Sequence, residues 1–150
     1  MSTTSSPPVS LRLSGVLLIQ PFFGGEERTR AEVALDKACR SLSMAVTDYY
    51  WREFLPEGAT PDHAAARVRG EHVELAEAFP PSMVVVGGFD LLKDCQARYV
   101  EATRGKGKLV KVVEYPYAIH AFHLFAYIAD SRKLVEMRLF VEEHSSKRVV

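Results

Sequence analysis

Three short apolar runs constrain the fold of this chain more than any other feature. Val16-Leu-Leu-Ile19 is continuously apolar and ends at Gln20-Pro21. Met83-Val-Val-Val86 runs into Gly87-Gly-Phe-Asp90. Leu109-Val-Lys-Val-Val-Glu-Tyr115 stops at Pro116. The continuously apolar runs at 16–19 and 83–86 fit strands buried on both faces, which is the habit of parallel sheets, and Leu109–Tyr115, interrupted by Lys111 and Glu114, reads as a third strand. Helical patterns lie between and after them. Leu91–Ala102 carries Leu92, Cys95, Tyr99 and Ala102 on one stripe and closes at Gly105 and Gly107. A last amphipathic helix is expected over about Ser131–His144, burying Leu134, Met137 and Val141 with Val135 and Leu139 beside them. Strand, helix, strand, helix is the rhythm of a parallel sheet with crossover helices.

The remaining segments are punctuation and one more helix. Residues 1–10 are rich in Ser, Thr and Pro and are expected to form a flexible tail. Glu26–Arg40 is charged and helical only in part. Asp48 is a candidate N-cap for a helix over Tyr49–Leu55, with Tyr50, Phe54 and Trp51 toward one face and Pro56-Glu-Gly58 as its stop. With 150 residues, the chain has room for one domain.

Charge excludes two classes of partner. Nineteen basic residues balance nineteen acidic ones. A nucleic-acid binder working by phosphate neutralisation shows a basic surplus, and so does a polybasic membrane patch. Neither partner is expected. The apolar runs are far shorter than the roughly 18–20 residues of a membrane helix, and the first ten residues lack the pattern of a signal peptide. The two cysteines, Cys39 and Cys95, have no CxxC spacing, so a reducing compartment is expected, the cytoplasm and with it the nucleus.

In parallel sheets the functional groups sit just past the carboxyl ends of strands. Asp90 stands there after the second strand and His120 after the third. A carboxylate and an imidazole on neighbouring strands can meet above the sheet edge. The carboxylate then fixes the tautomer and leaves the other ring nitrogen free to take a proton. Spacing alone leaves a second reading open, in which Asp90 caps the following helix and His120 is a loop residue.

Other candidate sites are weaker. His120 and His123 form an H-x-x-H pair, with Glu114 or Asp90 as conceivable further ligands, but no helical H-E-x-x-H pattern supports a metal. Gly24-Gly25 and Gly87-Gly88 lack the spacing of a nucleotide loop. The first pair is expected to punctuate a loop, and the second to let the backbone turn before Asp90. Cys95, on the apolar stripe of its helix, is expected to be a buried, unreactive thiol.

Leu13-Ser-Gly-Val-Leu-Leu-Ile-Gln-Pro-Phe-Phe-Gly-Gly-Glu-Glu-Arg-Thr29 resembles the plant carboxylesterases of the hormone-sensitive-lipase branch of the α/β-hydrolases, the branch that includes the gibberellin receptors. Asp48-Tyr-Tyr-Trp-Arg-Glu-Phe-Leu-Pro-Glu-Gly58, Asp62-His63, Val85–Gln96 and Val113–Phe122 extend the resemblance, in the family's order, over residues 11–145. The resemblance implies the C-terminal half of an α/β-hydrolase fold, about three parallel strands with flanking helices, occupying residues 11–150. It implies that Asp90 is the triad acid and His120 the triad histidine. The gibberellin receptors replace that histidine, so keeping it sets the chain nearer the enzymes. Tyr50 and His123 fall where relatives face a ligand, and Phe22 and Phe23 are candidates either to border the same pocket or to be core, with at least one of them expected in the core. The implied ligand is a small-molecule carboxylic ester, with no cofactor and no metal.

Family members carry the serine on a G-x-S-x-G turn and an oxyanion-binding His-Gly-Gly stretch. Neither motif occurs in these 150 residues. Without the serine no acyl-enzyme forms, and without the oxyanion donors a further factor of about 100–1000 is lost. The expectation is therefore a carboxylesterase-lineage chain with the acid and base but no turnover of its own. The alternative is a non-catalytic truncated fragment or receptor-like binding module. An unpaired edge at Val16–Ile19 is expected to favour self-association. Three departures from the family pattern lie close to the pair: Leu91 for a proline, Cys95 for a tryptophan and Ala121 for a glycine.

Overall fold

A computed structural model describes residues 13–39, 41–67, 75–125 and 134–145. The expected tail at 1–10 and residues 131–133 of the expected last helix lie outside the described residues. The elements in chain order are β1 (Val16–Ile19), α1 (Arg30–Leu35), α2 (Met44–Phe54), β2 (Ser82–Phe89), α3 (Lys93–Gly105), β3 (Val110–Ile119), a short 3₁₀ turn (Phe122–Leu124) and α4 (Val135–Ser145). The strands form one parallel sheet of three, in the order β1-β2-β3.

Both faces of β2 are covered, which is why its sequence is unbroken apolar. Met83 and Val85 join Tyr115, Ala118, Phe122, Met137 and Phe140 in one cluster, beneath α4. Val84 points the other way and packs with Tyr99 and Val100 of α3. Burying each such side chain fully is worth about 1.5–3 kcal/mol, so this central strand supplies much of the core. Among the described residues no helix is long and apolar enough to cross a membrane.

Several boundaries differ from the sequence expectation, each for a local reason. Helix α2 begins at Met44, because Ser43 is extended (φ −130°) and its hydroxyl accepts the Val46 N–H. Asp48 lies inside the helix and binds Arg28 instead of capping. On that helix Trp51 is the buried aromatic, while Tyr50 and Phe54 are exposed. Helix α1 is closed by a capping box between Thr29 and Glu32, and Asp94 of α3 accepts the Ala31 N–H at 2.8 Å. On α4 the buried pair is Met137 and Phe140, three residues apart; Val135, Leu139 and Val141 are exposed.

The largest departure is β3, which continues past Pro116 to Ile119. Its partners run Gly87↔Tyr115 and then Phe89↔Ile119. Two steps along β2 therefore face four along β3, and Pro116–Ala118 occupy the irregularity, where a missing N–H is tolerated. Gly88 makes room for it, since a Cβ at position 88 would overlap the Pro116 carbonyl oxygen. A Cβ at Gly87 would come within 2.7 Å of the Ala118 oxygen. The diglycine thus serves a close approach of two strands, and the chain also turns there as expected, the Asp90 N–H donating back to the Gly87 carbonyl at 3.1 Å. Such a bulge re-aims the residue that follows it, here His120.

Candidate active site

Asp90 leaves the end of β2 fully buried. Its Oδ1 accepts the Leu92 N–H at 2.9 Å, and its backbone oxygen accepts the Lys93 N–H. These bonds cap the entry to α3, whose preceding residue, Leu92, has no capping side chain of its own. The other carboxylate oxygen faces His120: Oδ2 to Nδ1 is 2.9 Å. One carboxylate oxygen thus caps α3 and the other faces the imidazole. Oδ2 also accepts from the Gln96 side-chain amide at 2.9 Å.

A carboxylate only accepts, so the proton between Asp90 and His120 belongs to Nδ1. The imidazole Nε2 then presents a lone pair, and it has no hydrogen-bond partner among the described residues. The His120 side chain is 15% exposed, enough to meet a reactant while most of the ring is dry. Ala121 follows it with φ +60°, a left-handed conformation that turns the chain into the 3₁₀ turn. That turn seats the fully buried Phe122 against Tyr115.

Phe22 connects the pair to a cavity. Its ring meets His120 edge-on with centroids 5.9 Å apart, and it also touches Tyr50 and Trp51. Phe22, Tyr50, Trp51, Phe54 and Ala65 line a cavity of about 400 Å³. The size and apolar walls suit a small organic ligand. Gly24 lies against the Trp51 indole, where a Cβ would overlap Nε1, so this glycine allows close packing of loop on helix rather than marking a bend.

The residues named from sequence fall into distinct places. Asp90 and His120 are hydrogen-bonded, and Tyr50 lines the cavity that Phe22 joins to them. Phe23 does not line it: its ring stacks on Tyr99 at 5.0 Å, in the cluster beneath α3. Both rings are partly buried: Phe22 packs against the cluster of Cys39 and Leu92 and that of Trp51 and Ala66, beside the cavity, and Phe23 packs against Val84, Tyr99 and Val100. His123 sits on the 3₁₀ turn with its Nδ1 buried and without a partner among the described residues. Burial first, and the neighbouring His120 second, hold its pKa below the ordinary value. Burial pushes the Cys95 thiol up to about 11, with Glu32 adding to it, so this sulfur stays protonated and inert. Cys39 is likewise free and buried. Among the described residues no group of three or more His, Cys, Asp or Glu is placed to hold a metal ion. Gln96 was not singled out from the sequence. Its only sign there is a polar side chain beside Cys95 on the inward stripe of α3.

Comparison with known proteins agrees with this architecture. A family model described as the alpha/beta hydrolase fold matches residues 3–124. The gibberellin receptor GID1C of Arabidopsis thaliana is 39% identical over 112 residues, which is 73% of this chain and 32% of the receptor. Probable carboxylesterase 6 of the same plant is 34% identical over 122 residues, 80% of this chain and 35% of that protein. The chain spans about a third of the length of the curated relatives it matches. A thermostable esterase from Pseudomonas putida superposes with a TM-score of 0.73 at 18% identity, covering 94% of this chain and 44% of the esterase. A hyperthermophilic esterase from Pyrobaculum calidifontis gives a TM-score of 0.69 at 20% identity, covering 85% of this chain and 42% of that one. With its three parallel strands, its flanking helices and a family match over most of its length, the chain belongs to the alpha/beta hydrolase fold family and is related to plant gibberellin receptors and carboxylesterases.

Proposed function

We propose that Asp90 and His120 are the acid and the base of a serine-type carboxylesterase machine, and that the cavity behind Phe22 receives the acyl part of a small carboxylic ester. The observation that carries the reading is the 2.9 Å bond from His120 Nδ1 to a fully buried carboxylate, with Nε2 unengaged among the described residues. In such a machine Nε2 takes the proton of a serine hydroxyl as it attacks the ester carbonyl. The carboxylate orients the ring and stabilises the imidazolium that forms. The imidazolium then returns the proton to the departing alcohol. No metal or redox cofactor enters these steps.

The serine and the oxyanion donors have no counterpart in the G-x-S-x-G and His-Gly-Gly sense within these 150 residues. We therefore propose that this chain by itself gives no useful ester turnover, its p-nitrophenyl acetate rate matching that of His120→Ala. A second reading is a receptor-like module that binds a small molecule without reacting. The apolar cavity and the 39% identity to a gibberellin receptor favour it.

Both readings need the cavity to bind, and Trp51, the sole tryptophan, stands in its wall. Titration with ethyl butyrate should change the Trp51 emission saturably. An emission that stays flat to millimolar ester contradicts both readings. A preparation that hydrolyses p-nitrophenyl acetate well above His120→Ala contradicts the absence of turnover.

A further inference from the structure

Two buried glutamines tie the Asp90–His120 pair to the loop that leaves β1. Gln96, on the first turn of α3, has no exposed surface. Its Nε2 donates to Asp90 Oδ2 at 2.9 Å and to the Pro21 carbonyl at 3.2 Å, so both amide protons are used. The orientation is forced. Turning the amide over would set its oxygen against a carboxylate oxygen and a carbonyl oxygen at once. In the orientation that remains, Oε1 is buried with no partner among the described residues.

Gln20 mirrors this on the histidine side. Its backbone is left-handed, φ +46°, a conformation that a non-glycine residue adopts under strain. Its Nε2 donates to the carbonyl of Ile119, the residue before His120, at 2.9 Å, and its own Oε1 is again buried and, among the described residues, unpartnered. A stable core has no need of such an arrangement: a methionine would fill either volume without stranding a carbonyl. Both penalties converge on the two ends of one hydrogen bond.

We propose that Gln96 is a positioning residue for the acid–base pair, acting through Asp90. The Leu92 N–H holds Oδ1, and Gln96 holds Oδ2, so the plane of the carboxylate is fixed with one Oδ2 lone pair aimed at His120 Nδ1. The second amide proton anchors that arrangement to Pro21, and Gln20 anchors the neighbouring residue to the strand end that carries His120. This inference rests on reading Asp90 and His120 as acid and base, but its test does not use ester chemistry.

The test is NMR of the His120 Nδ1 proton in the whole 150-residue chain and in Gln96→Met. The variant should keep a cooperative thermal transition, because relief of the stranded carbonyl offsets much of the lost donor to Asp90. The Nδ1 proton should exchange with solvent about tenfold faster or more, the equivalent of losing one hydrogen bond to a charged group. A folded variant whose Nδ1 proton exchanges at the original rate overturns the proposal. If Gln96→Met does not fold, the unmodified chain decides: both Gln96 amide protons should resist exchange, and one should shift as His120 is titrated. Amide protons that exchange at solvent rates, or ignore the titration, overturn it. Failure of the esterase reading shows separately, as a Trp51 emission indifferent to ester while these NMR signatures persist.

Discussion

Asp90 and His120 meet at 2.9 Å although they stand on different strands, thirty residues apart. The meeting depends on the two extra residues that β3 inserts opposite Gly88. The carboxylate also starts α3 through its second oxygen, so the pair and the helix share one buried anchor. Its removal should therefore be felt in stability as well as in chemistry.

Asp90→Asn keeps the size of the side chain and exchanges an acceptor for a donor. Whichever way the amide turns, a donor faces a donor: the Leu92 N–H in one orientation, Gln96 and His120 in the other. We expect a loss of about 2–3 kcal/mol in urea unfolding. A variant within 0.5 kcal/mol of the parent would mean that these bonds are absent in solution.

Gly88→Ala tests the strand bulge. Its Cβ would fall on the Pro116 carbonyl, a backbone atom that cannot swing away. We expect a loss of about 3 kcal/mol or more, together with a change in the His120 NMR signals. Gly105→Ala is the control: nothing lies within 4 Å of its Cβ at the end of α3, so it should be neutral or stabilise by about 0.5 kcal/mol. Equal effects at the two positions would refute the close-approach account.

Tyr50→Ala and Phe23→Ala separate cavity from core. Tyr50 is 54% exposed and lines the cavity, so its loss should weaken ester-induced change in Trp51 emission and move stability by less than about 0.5 kcal/mol. Phe23 packs on Tyr99, so its loss should cost about 2–3 kcal/mol and leave the ester response intact. The reverse pattern would return Phe23 to the cavity.

His123 sets a pH dependence. Its folded-state pKa lies below the ordinary 6.5, by burial first and by His120 second. Between the two values the unfolded chain binds more protons, so stability rises with pH there. The contribution is complete above pH 6.5 and is lost as pH falls through the depressed value. Urea midpoints between about pH 8 and about pH 5 should drop on the acid side, and drop less in His123→Leu. Identical acid slopes in the two proteins would contradict this.

The outer edge of β1 is free among the described strands, and all four of its residues are only partly buried. We expect the chain to self-associate, as size-exclusion chromatography with light scattering would register. A clean monomer across about a hundredfold dilution would contradict it.

The central strand was legible because burial on both faces writes itself as an unbroken apolar run: Val84 and Val85 point to opposite sides and both are buried. Asp90 was legible because it stands just past that run, and His120 because it lies past the third strand. The extension of β3 past Pro116 was not, since it depends on Gly88, which only the strand pairing brings alongside. Asp48 was mistaken for a cap because its partner, Arg28, lies twenty residues away. Gln96 was hidden for the same reason: Pro21 is 75 residues upstream, and a lone polar residue on an apolar stripe does not name its acceptor. Phe22 and Phe23 are chemically alike, and only the path of the loop assigns one to the cavity.

The most direct measurement of the central claim is the ¹⁵N spectrum of the His120 imidazole in its neutral form. The account predicts a proton on Nδ1, bare Nε2, and a strongly downfield Nδ1 proton that disappears in Asp90→Ala. A ring carrying its proton on Nε2, with no downfield signal in the parent chain, would contradict it.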